Sequence, residues 1–147
     1  MNIQVLSAKK YSQKLKVTIQ ATGKLGFSDE TAKEMELADR AAFIKFLIDS
    51  DTQTIYMSVL GSPDDDAFRP CKAGNYFYLN TTRMFDDLGV DYKTQTVIYD
   101  LTRREELDNE LGGMIYQMSP RTLKRKKEGQ GENPVFRITK KYVPLNR

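Results

Sequence analysis

The sequence predicts an α+β fold dominated by β structure, formed by one domain over residues 1–147 and assembled from two related units. Three observations carry that expectation. Short stretches with period-two alternation of apolar and polar residues outnumber helical ones. The order strand, strand, helix, strand, strand occurs twice, over about residues 14–60 and 67–118. Between the two lies the clearest linker in the chain, Gly61-Ser62-Pro63-Asp64-Asp65-Asp66. A shift of 53 places Ala32 on Phe85, Met35 on Leu88, Leu37 on Val90, Ile44 on Val97 and Phe46 on Tyr99, so the apolar pattern repeats although identity is low. The turn upstream, Gly23 against Gly74, needs a shift of 51, which gives the second unit two extra residues before its helix.

In the first unit Leu15, Val17 and Ile19 alternate with Lys16, Thr18 and Gln20, the pattern of a half-buried strand. Gly23-Lys24 is a turn, and Leu25 to Phe27 returns as a short strand. Ser28 is a helix N-cap, and Asp29 and Glu30 place negative charge on the first turn, where the helix dipole favours it. The helix is expected over 29–37, with Ala32, Met35 and Leu37 facing inward. Phe43 to Ile48 and Thr54 to Leu60 read as strands around the polar turn 49–53.

In the second unit Ala67 to Lys72 and Tyr76 to Leu79 flank Gly74-Asn75, a hairpin signal. Asn80 is the expected cap of a helix over 81–88, and Gly89 supplies the permissive residue at its end. Thr94 to Leu101 is a β-branched strand. Arg103 to Leu111 reads as a short charged helix stopped by Gly112-Gly113, and Met114 to Met118 as a strand. A basic extension, 119–147, follows. In it Ser119-Pro120 reads as a helix start, 129–134 as a loop and Val135 to Tyr142 as a strand.

Composition narrows function mainly by exclusion. The chain has no histidine, which removes the Ser-His and Cys-His nucleophile systems and the commonest metal ligand. Cys71 is the lone cysteine, so intrachain disulfides and a thiolate zinc site within one chain are excluded; a small buried thiol is the expectation. No glycine-rich phosphate loop, paired carboxylate motif or nucleophile elbow is present, and Asp64-Asp65-Asp66 lacks the ligand spacing of a calcium loop. The expectation is a protein that is not an enzyme and carries no cofactor or metal. No apolar run reaches the roughly 18 residues that span a bilayer, and the first residues lack a secretory signal, so a cytoplasmic protein without a membrane role is expected.

Net charge is +3, but its distribution says more than its sum. Basic clusters lie at Lys9-Lys10 with Lys14 and Lys16, at Arg121 to Lys127, and at Arg137 to Arg147, around a more acidic middle. One positive side suits a polyanionic partner. Tyr76, Phe77 and Tyr78 with Tyr92 and Tyr99 concentrate aromatic surface. Such a strand beside lysines serves as a stacking platform for single-stranded nucleic acid, or else packs the core with its hydroxyls in water.

The segment Gly23-Lys24-Leu25-Gly26-Phe27-Ser28 through Met35-Glu36-Leu37 resembles the core of the AbrB and MraZ family of swapped-hairpin DNA-binding proteins. That family's pattern runs glycine, a basic residue, apolar, any, apolar, proline, a short helix, then leucine-glycine-apolar. Here Ser28 stands for the proline and Glu36 for the helix-ending glycine, whereas Leu88-Gly89-Val90 keeps the ending in the second unit. The resemblance covers about 85 residues and implies two paired β units, oligomerisation and DNA contact by basic residues. Residue by residue it puts the turn cation at Lys24 and a helix cation at Lys33. Lys16 lies on the adjacent strand without a strict counterpart, and the second unit offers Asn75 and Arg83 instead. With the basic run Lys124, Arg125, Lys126 and Lys127, these lysines form the expected nucleic-acid surface of a DNA-binding homo-oligomer. The alternative is a protein-interaction or assembly module in which the same lysines only solvate the surface.

Overall fold

The computed structural model describes residues 1–124, apart from the Lys10 side chain. In chain order the elements are α1 (Ala8–Ser12), β1 (Leu15–Ile19), β2 (Leu25–Phe27), α2 (Asp29–Glu34), β3 (Phe43–Asp49) and β4 (Thr54–Leu60). Then follow β5 (Ala67–Phe68), β6 (Cys71–Ala73), β7 (Tyr76–Leu79), α3 (Thr82–Leu88), β8 (Gln95–Arg103), a 3-10 turn over Glu105–Leu107, α4 (Asp108–Leu111) and β9 (Met114–Lys124). All nine strands join one antiparallel sheet in the order β5-β3-β4-β9-β8-β1-β2-β7-β6. The predicted β-rich α+β class therefore holds.

The sheet curls into a half-barrel, and the chain itself accounts for the curl. Its two edge strands, β5 and β6, are consecutive, with only Arg69 and Pro70 between them. Two intervening residues span at most about 10 Å, so the first and last strands of the sheet lie close together. The strand expected over 67–72 is thus broken in two. Proline has no N–H to give to a ladder, and at Pro70 the chain leaves β3 and joins β7.

Alternation along the strands fills the concave face. Val17, Ile19, Leu25, Leu79, Val97 and Tyr99 are fully buried there, with Ile44 and Met57 from the other half of the sheet. These side chains form one cluster with Met35 and Phe85 from the two helices, so both halves of the chain share a core. Ala32, Met35 and Leu37 face inward, as their spacing predicts.

Helix α2 is shorter than the predicted span. Ser28 caps it, accepting the Thr31 N–H at 3.3 Å. The buried Thr31 hydroxyl donates to the Lys16 carbonyl (3.0 Å) and accepts the Lys16 N–H (2.8 Å), tying the helix to β1. At its end Glu36 adopts a left-handed backbone (φ 56°). Around α2 the backbone bonds run Ala32 N–H to Ser28, Glu36 N–H to Lys33 and Leu37 N–H to Ala32. Around α3 they run Phe85 to Thr81, Gly89 to Asp86 and Val90 to Phe85. Gly89, left-handed at φ 73°, ends α3 as predicted.

Three further expectations need correction. Asn80 does not cap α3: Thr81 precedes the helix, its hydroxyl bonding the Gly23 carbonyl (3.0 Å), while the Asn80 amide reaches Cys71 Sγ (3.4 Å). Cys71 is half-buried rather than buried, because it opens an edge strand. No helix starts at Ser119-Pro120, since β9 runs unbroken to Lys124. The pairing of β9 with β4 ends at Met118, so from Ser119 onward only β8 flanks it. Pro120 therefore stands where one side of the strand needs no donor. The loop and strand expected beyond Lys127 lie outside the described residues.

Candidate nucleic-acid interface

The convex face of β1, β2 and β7 carries what the concave face leaves over. Register sets Arg121, Ile98, Thr18, Gly26, Tyr78 and Cys71 side by side across six strands. Tyr76 and Tyr78, two residues apart on β7, share this outer face while Phe77 and Leu79 point into the core. Both tyrosines are half-buried, and their rings stack at 6.3 Å with an interplanar angle of 21°. Lys24 sits one residue before β2, opposite Gln20, whose backbone N–H donates to the Lys24 carbonyl at 2.8 Å. From there Lys24 Nζ lies over the Tyr78 ring, 5.0 Å from its centroid. The Gln20 amide donates to the Tyr76 hydroxyl and holds that ring down across the sheet. Gly26 is beneath it; a Cβ there would collide with the Tyr76 hydroxyl. The result is an aromatic shelf with a cation on it, fixed by a glycine below and an amide at its edge.

The predicted lysines do not all meet there. Lys16 is exposed on the same convex face, opposite Asp100 in register; Arg121 bonds that Asp100 at 2.7 Å, so part of the charge is compensated. Lys33 lies instead at the end of α2, in a cleft of about 380 Å³ with Lys72, Asn75 and Phe77. Asp29, Glu36 and Asp39 line the same cleft, so its charges largely balance. Lys124 ends β9 opposite the buried Gln95 and is half-buried at the rim, apart from the shelf. Arg125, Lys126 and Lys127 lie outside the described residues. Arg83 is exposed on α3, and Asn75 lies in the β6–β7 turn.

Of the aromatic concentration only Tyr76 and Tyr78 reach the surface. Tyr99 is fully buried and stacks on Phe85 at 6.2 Å. Tyr92 is buried with its hydroxyl donating to Asp86 at 2.6 Å; that acceptor, then burial, pushes the phenol up to about 12. Gln20 and Lys72 are not among the predicted site residues, and Arg121 enters the sequence reading only as part of a basic cluster. Gln20 was within reach, as the next polar position on the alternating face of β1.

Two ion pairs away from the shelf serve structure. Asp64, in the linker, accepts the Asp66 N–H (2.8 Å) and pairs with Lys45 (3.3 Å). Arg103 grips Asp108 with both terminal nitrogens at 2.7 Å, and Asp108 also accepts the Ile115 N–H at 3.0 Å. That guanidinium holds the Asp108 carboxyl down at about 2. Among the described residues no group of three His, Cys, Asp or Glu side chains is placed to hold a metal ion, and no helix is long and apolar enough to cross a membrane.

No protein-family model matches the chain, and no curated protein or solved structure is significantly similar to it.

Proposed function

We propose that this chain is a non-enzymatic nucleic-acid-binding protein, a small regulator that holds its ligand on the convex face of β1, β2 and β7. The observation that carries the reading is the Lys24–Tyr78–Tyr76 arrangement. A cation rests on Tyr78, one of a pair of stacked, half-exposed rings on the sheet. Lysine neutralises phosphate, and an aromatic face accepts any base, so the two together suit a polynucleotide better than a free anion. Lys16 and Arg121 extend the cationic side along the same face. Lys33, across the cleft with three carboxylates, contributes less.

The duplicated architecture belongs to this reading. Three backbone bonds that close α2 recur at a shift of 53 around α3, and both helices end on a left-handed residue, Glu36 and Gly89. Strand order supports the same idea: β3-β4 meets β9-β8, and β1-β2 meets β7-β6, each pair meeting antiparallel. Interleaved hairpins of this kind are what the AbrB and MraZ resemblance implies.

Fluorescence anisotropy with mixed-sequence single-stranded and duplex DNA at low salt tests the function. Binding is expected at micromolar protein, weakening steeply as salt rises. Lys24→Ala should lower the salt slope by about one, and Tyr78→Ala should cost about 1–3 kcal/mol on a single strand. No binding to either DNA at low salt would defeat the proposal.

A second reading, an assembly module, has its own support in the exposed apolar side chains of residues 1–6.

A further inference from the structure

Residues 1–6 precede α1 without regular structure and expose Met1, Ile3, Val5 and Leu6 at 78% or more. Water-exposed apolar side chains in such a row are unusual for a folded chain, and their pattern is informative. Ile3 and Val5 alternate with Asn2 and Gln4, the period of a strand with one apolar face. The segment is a strand by pattern with no ladder to join in its own chain among the described residues.

The sheet has a place that lacks a strand. β3 pairs with β4 along all seven residues, but its other edge meets β5 only at Ile44 and Lys45. A turn diverts the chain there, the Ala67 N–H donating to the Asp64 carbonyl at 3.0 Å. The edge from Phe46 to Asp49 therefore has no strand partner among the described residues, and Ile48 on it is 40% exposed. By comparison, β1 pairs with β8 over five residues in the other half of the sheet. A long open edge with an apolar residue is a template for an added strand.

We propose that residues 2–5 of one copy add antiparallel to the Phe46–Asp49 edge of a second copy, forming a dimer by exchange of arms. Set Val5 beside Phe46, and Ile3 falls beside Ile48, on the core side of β3 where both side chains are buried further. Asn2 and Gln4 then face outward with Leu47 and Asp49. In that direction the chain after Leu6 runs toward the Asp64-Asp65-Asp66 turn, bringing Lys9 near three carboxylates. The reversed direction loses that charge match. The base of the arm is tied to the other side of the molecule. The Gln13 amide donates to Glu34 Oε1 (2.9 Å) and the Lys14 N–H to Glu30 Oε2 (3.4 Å), while β3 lies four positions from β1 in the sheet order. A second copy is thus the natural recipient. The proposal is independent of the nucleic-acid reading.

Light scattering on the full chain at high micromolar concentration should give twice the chain mass. Deletion of residues 2–6, or the pair Ile3→Asp and Val5→Asp, should halve that mass while leaving the circular dichroism of the sheet unchanged. For geometry, Cys71→Ser chains carrying either Ile3→Cys or Ile48→Cys are mixed and oxidised. A disulfide between the two different chains is expected, since cross-strand neighbours meet the bond's distance limits. A full chain that stays monomeric overturns the proposal, as does a dimer that survives loss of the arm. So does a cross-link that forms only within a doubly substituted chain, or one from Ile48→Cys to a cysteine placed in residues 125–147. Because these readouts contain no nucleic acid, they fail or succeed separately from the DNA titration.

Discussion

At the residue scale Glu36 shows how strongly local backbone demands act. It holds φ 56°, a conformation that costs a residue with a side chain about 1–2 kcal/mol and costs glycine almost nothing. The equivalent closing residue of α3 is Gly89, which has no such strain. Glu36→Gly should therefore raise stability by about 1 kcal/mol in urea denaturation, because the exposed pair it forms with Arg40 at 3.7 Å is worth little. No change or a loss would mean that the Glu36 side chain does more for the fold than its contacts suggest. The glutamate alone does not signal a left-handed position; the family resemblance does, since it sets Glu36 where a helix-ending glycine stands. Gly89 signals it by itself. In the same way Ser28 announced its cap, whereas Asn80 was a plausible cap displaced by the pull of Cys71 and of the Thr81 hydroxyl bond to Gly23.

At the scale of elements, β9 and the segment before it depend on one ion pair. Arg103 ends β8, Asp108 opens α4, and Asp108 also accepts the Ile115 N–H of β9, so a single carboxylate joins three elements. Its pKa is depressed from 3.8 to about 2, chiefly by the Arg103 hydrogen bonds. The ionised form therefore stabilises the fold above about pH 4, and this contribution disappears as pH falls through about 2. Asp108→Asn should lower stability at neutral pH and flatten the acid limb between pH 4 and 2, as followed by urea midpoints against pH. An unchanged limb would place the acid sensitivity elsewhere. This bond was invisible in the sequence, where 103–111 read only as a charged helix. The strands themselves were legible from alternation, with β9 as the exception: Pro120 reads as a helix start until the register with β4 is known to stop at Met118.

At the scale of the molecule, sequence neighbours are not the neighbours that matter. β1 lies between β2 and β8, and β4 beside β9, so each half of the chain supplies partners to the other. Fragments 1–62 and 63–147 should be unfolded as separate monomers and should regain the β signal in circular dichroism when mixed. A fragment that folds alone as a monomer would contradict the shared core. Such long-range pairing also predisposes the whole chain to fold slowly, since loops must close before contacts form. The class was visible in the apolar periodicity, but the interleaving was not, because nothing local in a strand names its partner. The candidate site divides along the same line. Lys24 and the outward tyrosines follow from a turn and an alternation, while their meeting on one face depends on Gly26 and Gln20 across two strands.

The break at Pro70 makes the chain its own instrument. The seam where the sheet comes round on itself is held by two residue pairs on one side and three on the other, and the lone thiol, Cys71, opens the strand on its far bank. A thiol-reactive dye needs no engineered handle here: fixed to Cys71 on the outer face, it would report the parting of the seam by its emission, separately from the melting of the rest of the sheet.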